Sequence, residues 1–225
     1  MPDRPFLAAD DALRRALGDI SGLDAIDMGA GSGRMTRALC GMGARALGVE
    51  PNPAAVAAAR AAGGDFLEAA AESTGLPDDC ADLVVFSLSL HHARDIPTAL
   101  TEACRLLRPG GRVVVNEPVA PDPIWPVARF IDDESAVYAE VVAAVAALAA
   151  SGRVLREAAL DFSSKYHVAT PDEMLADMTA VDPRRRLDPA DRPAFEAAFA
   201  EALETDERGP YLPYWERIEV LRYAA

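Results

Sequence analysis

The sequence predicts an α/β fold, a parallel sheet covered by helices on both faces. Short apolar runs alternate with helix-patterned segments five times before residue 118. The first of those runs opens into a glycine-rich turn, AIDMGAGSG at 25–33, where a strand should hand over to a helix. The 225 residues, half of them hydrophobic, suit one domain with a substantial core.

The elements follow in order. The first strand is expected at 23–28 and the first helix at 32–40, ended by Gly41 and Gly43. A second strand at 44–49 stops at Glu50, and Asn52 and Pro53 supply the cap and first turn of a helix at 54–62. A short strand at 66–70 and the strongly apolar DLVVFSL at 82–88 come next. The helix at 98–108 carries Leu100, Ala103, Cys104 and Leu107 on one face, and Pro109-Gly110-Gly111 closes it before strand 112–116. Beyond a proline-rich excursion at 118–126 the pattern gives a helix at 133–150 and a strand at 154–162, extending as far as 168. Helices at 171–180 and 189–205 follow, then a final strand at 216–224.

A net charge of −14 argues against nucleic acid and anionic membrane surfaces, whose phosphates it would repel. Cys40, Cys80 and Cys104 are too few and too scattered for a disulfide framework or metal cluster, so no metal is expected and a reducing, cytoplasmic setting fits. The opening MPDRPFLAADD lacks the basic start and apolar run of a signal peptide. VVAAVAALAA at 141–150 is too short to span a bilayer.

The glycine turn decides between ligands. A dinucleotide loop needs a small residue where this chain has Arg34, and no Gly-Lys-Ser/Thr follows to make a phosphate-binding loop. The spacing D-x-G-x-G-x-G, Asp27 to Gly33, instead resembles the first motif of the class I S-adenosylmethionine-dependent methyltransferases. In that family the loop cradles the amino-acid end of the cofactor, with bare N–H groups for its carboxylate and an acid for its ammonium.

The resemblance runs from 23 to 117. Glu50 in GVEPNP matches the acid that accepts both ribose hydroxyls, a task suited to two acceptor oxygens. Ala71 and Glu72 match the pair beside the adenine, LPDDCADLV matches the approach to strand four, and LLRPGGRVVV the turn into strand five. The implied cofactor, S-adenosyl-L-methionine, would therefore meet Asp27, Gly29, Ala30, Gly31, Gly33, Glu50, Pro51, Ala71, Glu72 and Ser87. The chain is most similar to the type 11 small-molecule enzymes. That implies a Rossmann-like, doubly wound sheet of seven strands, order 3-2-1-4-5-7-6, the last strand antiparallel, with helical lid insertions at 118–135 and 163–212. About 22 residues precede the first strand, less N-terminal cover than many relatives carry.

Methyl transfer needs a general base only where the acceptor holds its proton at neutral pH. His91 and His92 follow strand four on the ligand side, and an imidazole titrates near pH 6.5. On an extended backbone the two would point opposite ways, leaving one to face substrate, here His91. The alternative is structural: one capping the next helix, the other packing under the sheet. Glu117, ending strand five, is placed to orient a polar substrate group or to cap a helix. Trp125, Tyr166 and His167 are candidates for the acceptor pocket or for ordinary packing. The expected activity is methylation of an oxygen or nitrogen of a small molecule, in bacterial secondary metabolism, by a monomer or homodimer. A cyclase or isomerase that keeps the cofactor without spending its methyl group is the alternative.

Overall fold

The computed structural model describes residues 4–182 and 184–224; the ends of the expected single domain and Pro183, inside the expected second insertion, lie outside them. Ahead of the first strand stands a helix not expected from the sequence, α1 (Ala9–Leu17). Asp10 and Asp11 sit in its first turn and Arg14 and Arg15 in its last, complementing the helix dipole, while Ala12, Leu13 and Leu17 are buried.

Five strands and three helices then appear close to their expected places. They are β1 (Asp24–Met28), α2 (Arg34–Gly41), β2 (Arg45–Glu50), α3 (Pro53–Ala61), β3 (Asp65–Glu68), β4 (Ala81–Ser87), α4 (Ile96–Leu106) and β5 (Leu107–Pro118). Asn52 caps α3, its Oδ1 accepting from the Ala54 N–H at 2.9 Å, and Asp95 caps α4 through the Thr98 N–H. The pairings β1–β2, β1–β4, β2–β3 and β4–β5 are all parallel. Central strands buried on both faces need continuous apolar runs, and Leu83, Val84, Val85, Val113 and Val114 are wholly buried.

The rest comprises α5 (Trp125–Ala128), α6 (Ser135–Ala150), β6 (Val154–His167), α7 (Pro171–Val181), α8 (Arg192–Ala202), β7 (Glu204–Asp206) and β8 (Gly209–Tyr223). The strand order is β3-β2-β1-β4-β5-β8-β6, with β7 paired onto β8. Setting that short arm aside, this is the expected order.

Three expectations are corrected. The helix placed at 189–205 is a 3-10 turn at Pro189–Asp191 followed by α8, because Pro193 starts a fresh helix. Residues 204–206 are extended and pair antiparallel with β8, and Asp206 closes the hairpin by accepting from the Arg208 N–H at 2.8 Å. The last strand begins at Gly209 rather than 216; Pro210 and Pro213 fit an extended backbone although they lack the N–H of a regular ladder. Strand five starts at Leu107, and the PGG segment bulges out where Ala81 pairs with Leu107 but Leu83 with Arg112.

Two compact units are distinguished. The larger comprises Ala9–Glu117, Ala139–Leu160 and the chain from Arg217 onward; the smaller comprises the residues through Ala8, Pro118–Tyr138 and Asp161–Glu216. The smaller has its own core, in which Val127, Val168, Met174, Phe195, Phe199 and Leu212 pack together. No helix of the described residues is long and apolar enough to cross a membrane.

Candidate functional site

The three glycines after β1 do different work. All have positive φ, at 72°, 53° and 82° for Gly29, Gly31 and Gly33. A Cβ on Gly29 would stand 2.6 Å from Ser89 Cβ, and one on Gly33 2.4 Å from Phe66 Cζ, so these two glycines permit close packing. A Cβ on Gly31 would meet nothing within 4 Å. The middle glycine therefore lies under open space.

Four of the loop amides, those of Gly29, Ala30, Gly31 and Gly33, are already bonded within the protein, which corrects the expectation of bare N–H groups there. Gly29 and Ala30 donate to the Val49 carbonyl at 2.8 and 3.0 Å, and Gly33 donates to the Ala30 carbonyl at 2.8 Å. The Gly31 N–H donates to Glu50 Oε2 at 2.9 Å. Glu50 Oε1 in turn accepts from the Asn52 N–H at 2.9 Å, bridging Pro51, which is exposed. One carboxylate at the end of β2 thus fastens the glycine loop to the start of α3.

Asp27 lies beneath the loop, 1% exposed, its Oδ2 accepting from Thr36 Oγ1 at 2.6 Å. Burial pushes its carboxyl up to about 6, against the opposing pull of the Thr36 hydrogen bonds. In this arrangement it supports the loop from below.

Ala71 and Glu72 sit in the tight turn bridged by Ala70 and Ser73. Glu72 Oε1 accepts from the amides of Arg94 and Asp95 at 2.6 and 3.2 Å, so the pair is tied to the lead-in of α4. Ser87 ends β4 opposite Asn116 of β5. Its Oγ is buried without a hydrogen-bond partner among the described residues.

Beyond Ser87 the chain turns sharply. Leu88 takes φ 54°, a strained value for a residue with a branched side chain. Leu90–His92 then form a 3-10 turn, not an extended segment. The two histidines therefore do not point apart: their ring centroids are 3.9 Å from each other, at a tilt of 52°. His91 Nδ1 is 2.5 Å from Glu117 Oε2, with 6% of the histidine side chain exposed and 7% of the glutamate's. Glu117 Oε1 accepts from the Ser89 and Leu90 amides at 3.1 and 2.7 Å. Glu117 therefore caps the turn and grips His91, instead of presenting a free carboxylate to a substrate. His92 is exposed.

Ser89 was not anticipated. Its Oγ donates to the Met28 carbonyl at 2.6 Å, locking the turn after β4 against the glycine loop after β1. A serine in SLSLHH carries no sequence signal for this.

The remaining candidates lie in the smaller unit. Trp125 Nε1 donates to Asp133 at 3.2 Å, and the Arg129 guanidinium lies 5.2 Å from its ring centroid. The Tyr166 hydroxyl donates to Asp177 at 2.6 Å, and burial followed by that carboxylate raises its pKa above the usual phenol range. His167 Nε2 is 3.3 Å from Asp206, which also receives Lys165 Nζ at 2.8 Å.

Comparison with known proteins bears out the resemblance. Residues 26–115 match the family model described as a methyltransferase domain. A demethylmenaquinone methyltransferase of Clavibacter sepedonicus is 34% identical over 111 residues, 47% of this chain and 45% of the relative. The chain thus spans about half the length of the curated relatives it matches. Among solved structures, the YcgJ protein of Bacillus subtilis covers 95% of this chain and is itself covered to 97%, with TM-score 0.62 and 17% identity. The [4+2]-cyclase SpnF covers 95% and is covered to 78%, with TM-score 0.57 and 19% identity. Both share the fold.

Proposed function

We propose that this chain, whose residues 26–115 carry a methyltransferase-family domain, transfers the methyl group of S-adenosyl-L-methionine to an oxygen or nitrogen of a small molecule, in bacterial secondary metabolism. The observation that carries the reading is Gly31, open above and held from the side by Glu50.

The residues present fit that cofactor. Each Glu50 oxygen spends one acceptor position on a backbone amide, which leaves one apiece for two vicinal ribose hydroxyls. Glu72 anchors its turn through Oε1, which leaves Oε2 to serve the adenine. Ser87 Oγ is a buried polar atom in want of a partner at the sheet's ligand-binding end. Asp27, Gly29, Ala30 and Gly33 shape the loop, and Pro51 and Ala71 frame the two acids.

When bound, the sulfonium supplies an electrophilic methyl group. The chain's own task is to fix the acceptor in line and exclude water. Where the acceptor holds its proton, His91 receives it at Nε2. Trp125, Tyr166 and His167, within segments 118–135 and 163–212, are assigned to acceptor recognition. The reading goes with a cytoplasmic monomer or homodimer that binds neither nucleic acid nor membrane.

A second reading, a cofactor-binding cyclase or isomerase, is favoured by the fold shared with the [4+2]-cyclase. Incubation with methyl-labelled cofactor and a panel of small phenols, alcohols and amines separates the two. Label on an acceptor, with demethylated cofactor released, supports transfer. Acceptor converted with the label still on the cofactor supports the second reading.

A further inference from the structure

We propose that Glu117 is a positioning residue that fixes the tautomer of His91, holding the proton on Nδ1 and the lone pair on Nε2. The inference rests on the methyl-transfer reading only for its catalytic consequence; the tautomer stands on geometry alone.

Glu117 uses its two oxygens differently. Oε1 accepts from the backbone amides of Ser89 and Leu90 at 3.1 and 2.7 Å, and Oε2 faces His91 Nδ1 at 2.5 Å. A carboxylate can only accept, so the nitrogen facing it must carry hydrogen. In a neutral imidazole the other nitrogen is then the acceptor. The same carboxylate that caps the 3-10 turn thereby orients the ring within it. A single buried group sets both the backbone that presents the base and the atom that acts as base. The two residues are 26 apart in sequence and meet because β4 and β5 pair in parallel, with Ser87 opposite Asn116.

Glu117→Gln makes the proposal testable with almost no change of shape. The two backbone N–H donors require the amide oxygen on their side, which turns the amide NH2 toward His91 Nδ1. Nδ1 must then accept, and the proton moves to Nε2. The variant keeps its caps but has the wrong tautomer. In a Ser-His-Asp triad the same carboxylate-to-amide exchange lowers kcat about 10⁴-fold by that route.

The measurement is the pair of His91 ring-nitrogen chemical shifts, read by ¹⁵N NMR above the imidazole titration, with His91→Gln to assign the signals. In the unaltered protein the shifts should report Nδ1–H with Nε2 unprotonated. In Glu117→Gln they should reverse. A protonated Nε2 in the unaltered protein, or an unchanged tautomer in the variant, overturns the proposal; the first holds even if the variant does not fold. In parallel, Glu117→Gln should lower kcat about 10²–10⁴-fold on a protonated acceptor and leave cofactor affinity and KM nearly unchanged. A reversed tautomer with undiminished turnover would sustain the positioning inference while removing His91 from the proposed reaction, so the two failures are distinct.

Discussion

Ser89 is wedged against Gly29: its Cβ stands 2.6 Å from where a Gly29 Cβ would be, while its Oγ is bonded to the carbonyl of Met28. Gly31, two residues on, has nothing over it. The two glycines should therefore fail differently. Gly29→Ala meets both positive φ and a collision, and should destabilise the fold by about 2–4 kcal/mol. Gly31→Ala meets the backbone strain alone, about 1–2 kcal/mol, but should weaken cofactor binding more than about tenfold. Denaturant melts beside calorimetric titrations check the contrast; equal stability losses would contradict it.

Glu50 fastens Gly31 and Asn52, and under the proposed function its remaining acceptor positions serve the ribose. Glu50→Ala should leave the protein folded and raise the cofactor Kd by about 30–900-fold, the equivalent of roughly 2–4 kcal/mol for two charge-assisted hydrogen bonds. Titration calorimetry reads this directly. An unchanged Kd would mean that the ribose is held elsewhere.

Asp27 should make stability depend on pH. Burial raises its folded-state value to about 6, so as pH climbs the unfolded chain loses this proton first. The stability linked to that proton is fully present below about 3.9, the unfolded value, and is lost as pH rises through about 6. Asp27→Asn has no proton to lose and can still accept from Thr36. It should match the unaltered protein near pH 4 and exceed it at pH 7 by on the order of 2–3 kcal/mol. A difference that does not vary across this interval would contradict the assignment.

The two histidines should separate in turnover. His91→Ala removes the ring gripped by Glu117 and should lower kcat about 10²–10⁴-fold on a protonated acceptor. His92 is exposed, so His92→Ala should cost little in stability or rate. Steady-state kinetics with cofactor saturating checks both, and near-normal turnover in His91→Ala would leave alignment alone to carry the reaction.

What was legible in the sequence was what local pattern encodes. Apolar runs such as DLVVFSL, the Asn52-Pro53 helix start and the glycine turn located β1 to β5 and the loop residues within a few positions. Less legible was anything set by partners distant in the chain. Pro210 and Pro213 masked the first half of β8, and β7 is extended because it pairs with that half. The helix α1 has its own local signal, Asp10-Asp11 ahead of Arg14-Arg15, a charge pattern that complements the helix dipole. The local sequence around the histidines suggests an extended backbone, but the positive φ of Leu88 and the amides of Ser89 and Leu90 on Glu117 curl that backbone into a turn. The likeness to a family singled out Glu50, which is bonded to Gly31 of the loop, and Glu72, which lies in the Ala70–Ser73 turn bonded to the lead-in of α4. It gave no notice that the amides of Gly29, Ala30, Gly31 and Gly33 are spent on Val49, Ala30 and Glu50.

Under the proposed function, the glycine loop and Glu50 form a site for the adenosyl cofactor and not for a dinucleotide. Isothermal titration of the protein with S-adenosylhomocysteine, the demethylated product, and separately with nicotinamide adenine dinucleotide tests it most directly. The open Gly31, the paired Glu50 and Arg34 in place of a small residue predict micromolar binding of the first and none of the second. Tight binding of the dinucleotide with no heat from the nucleoside would contradict it.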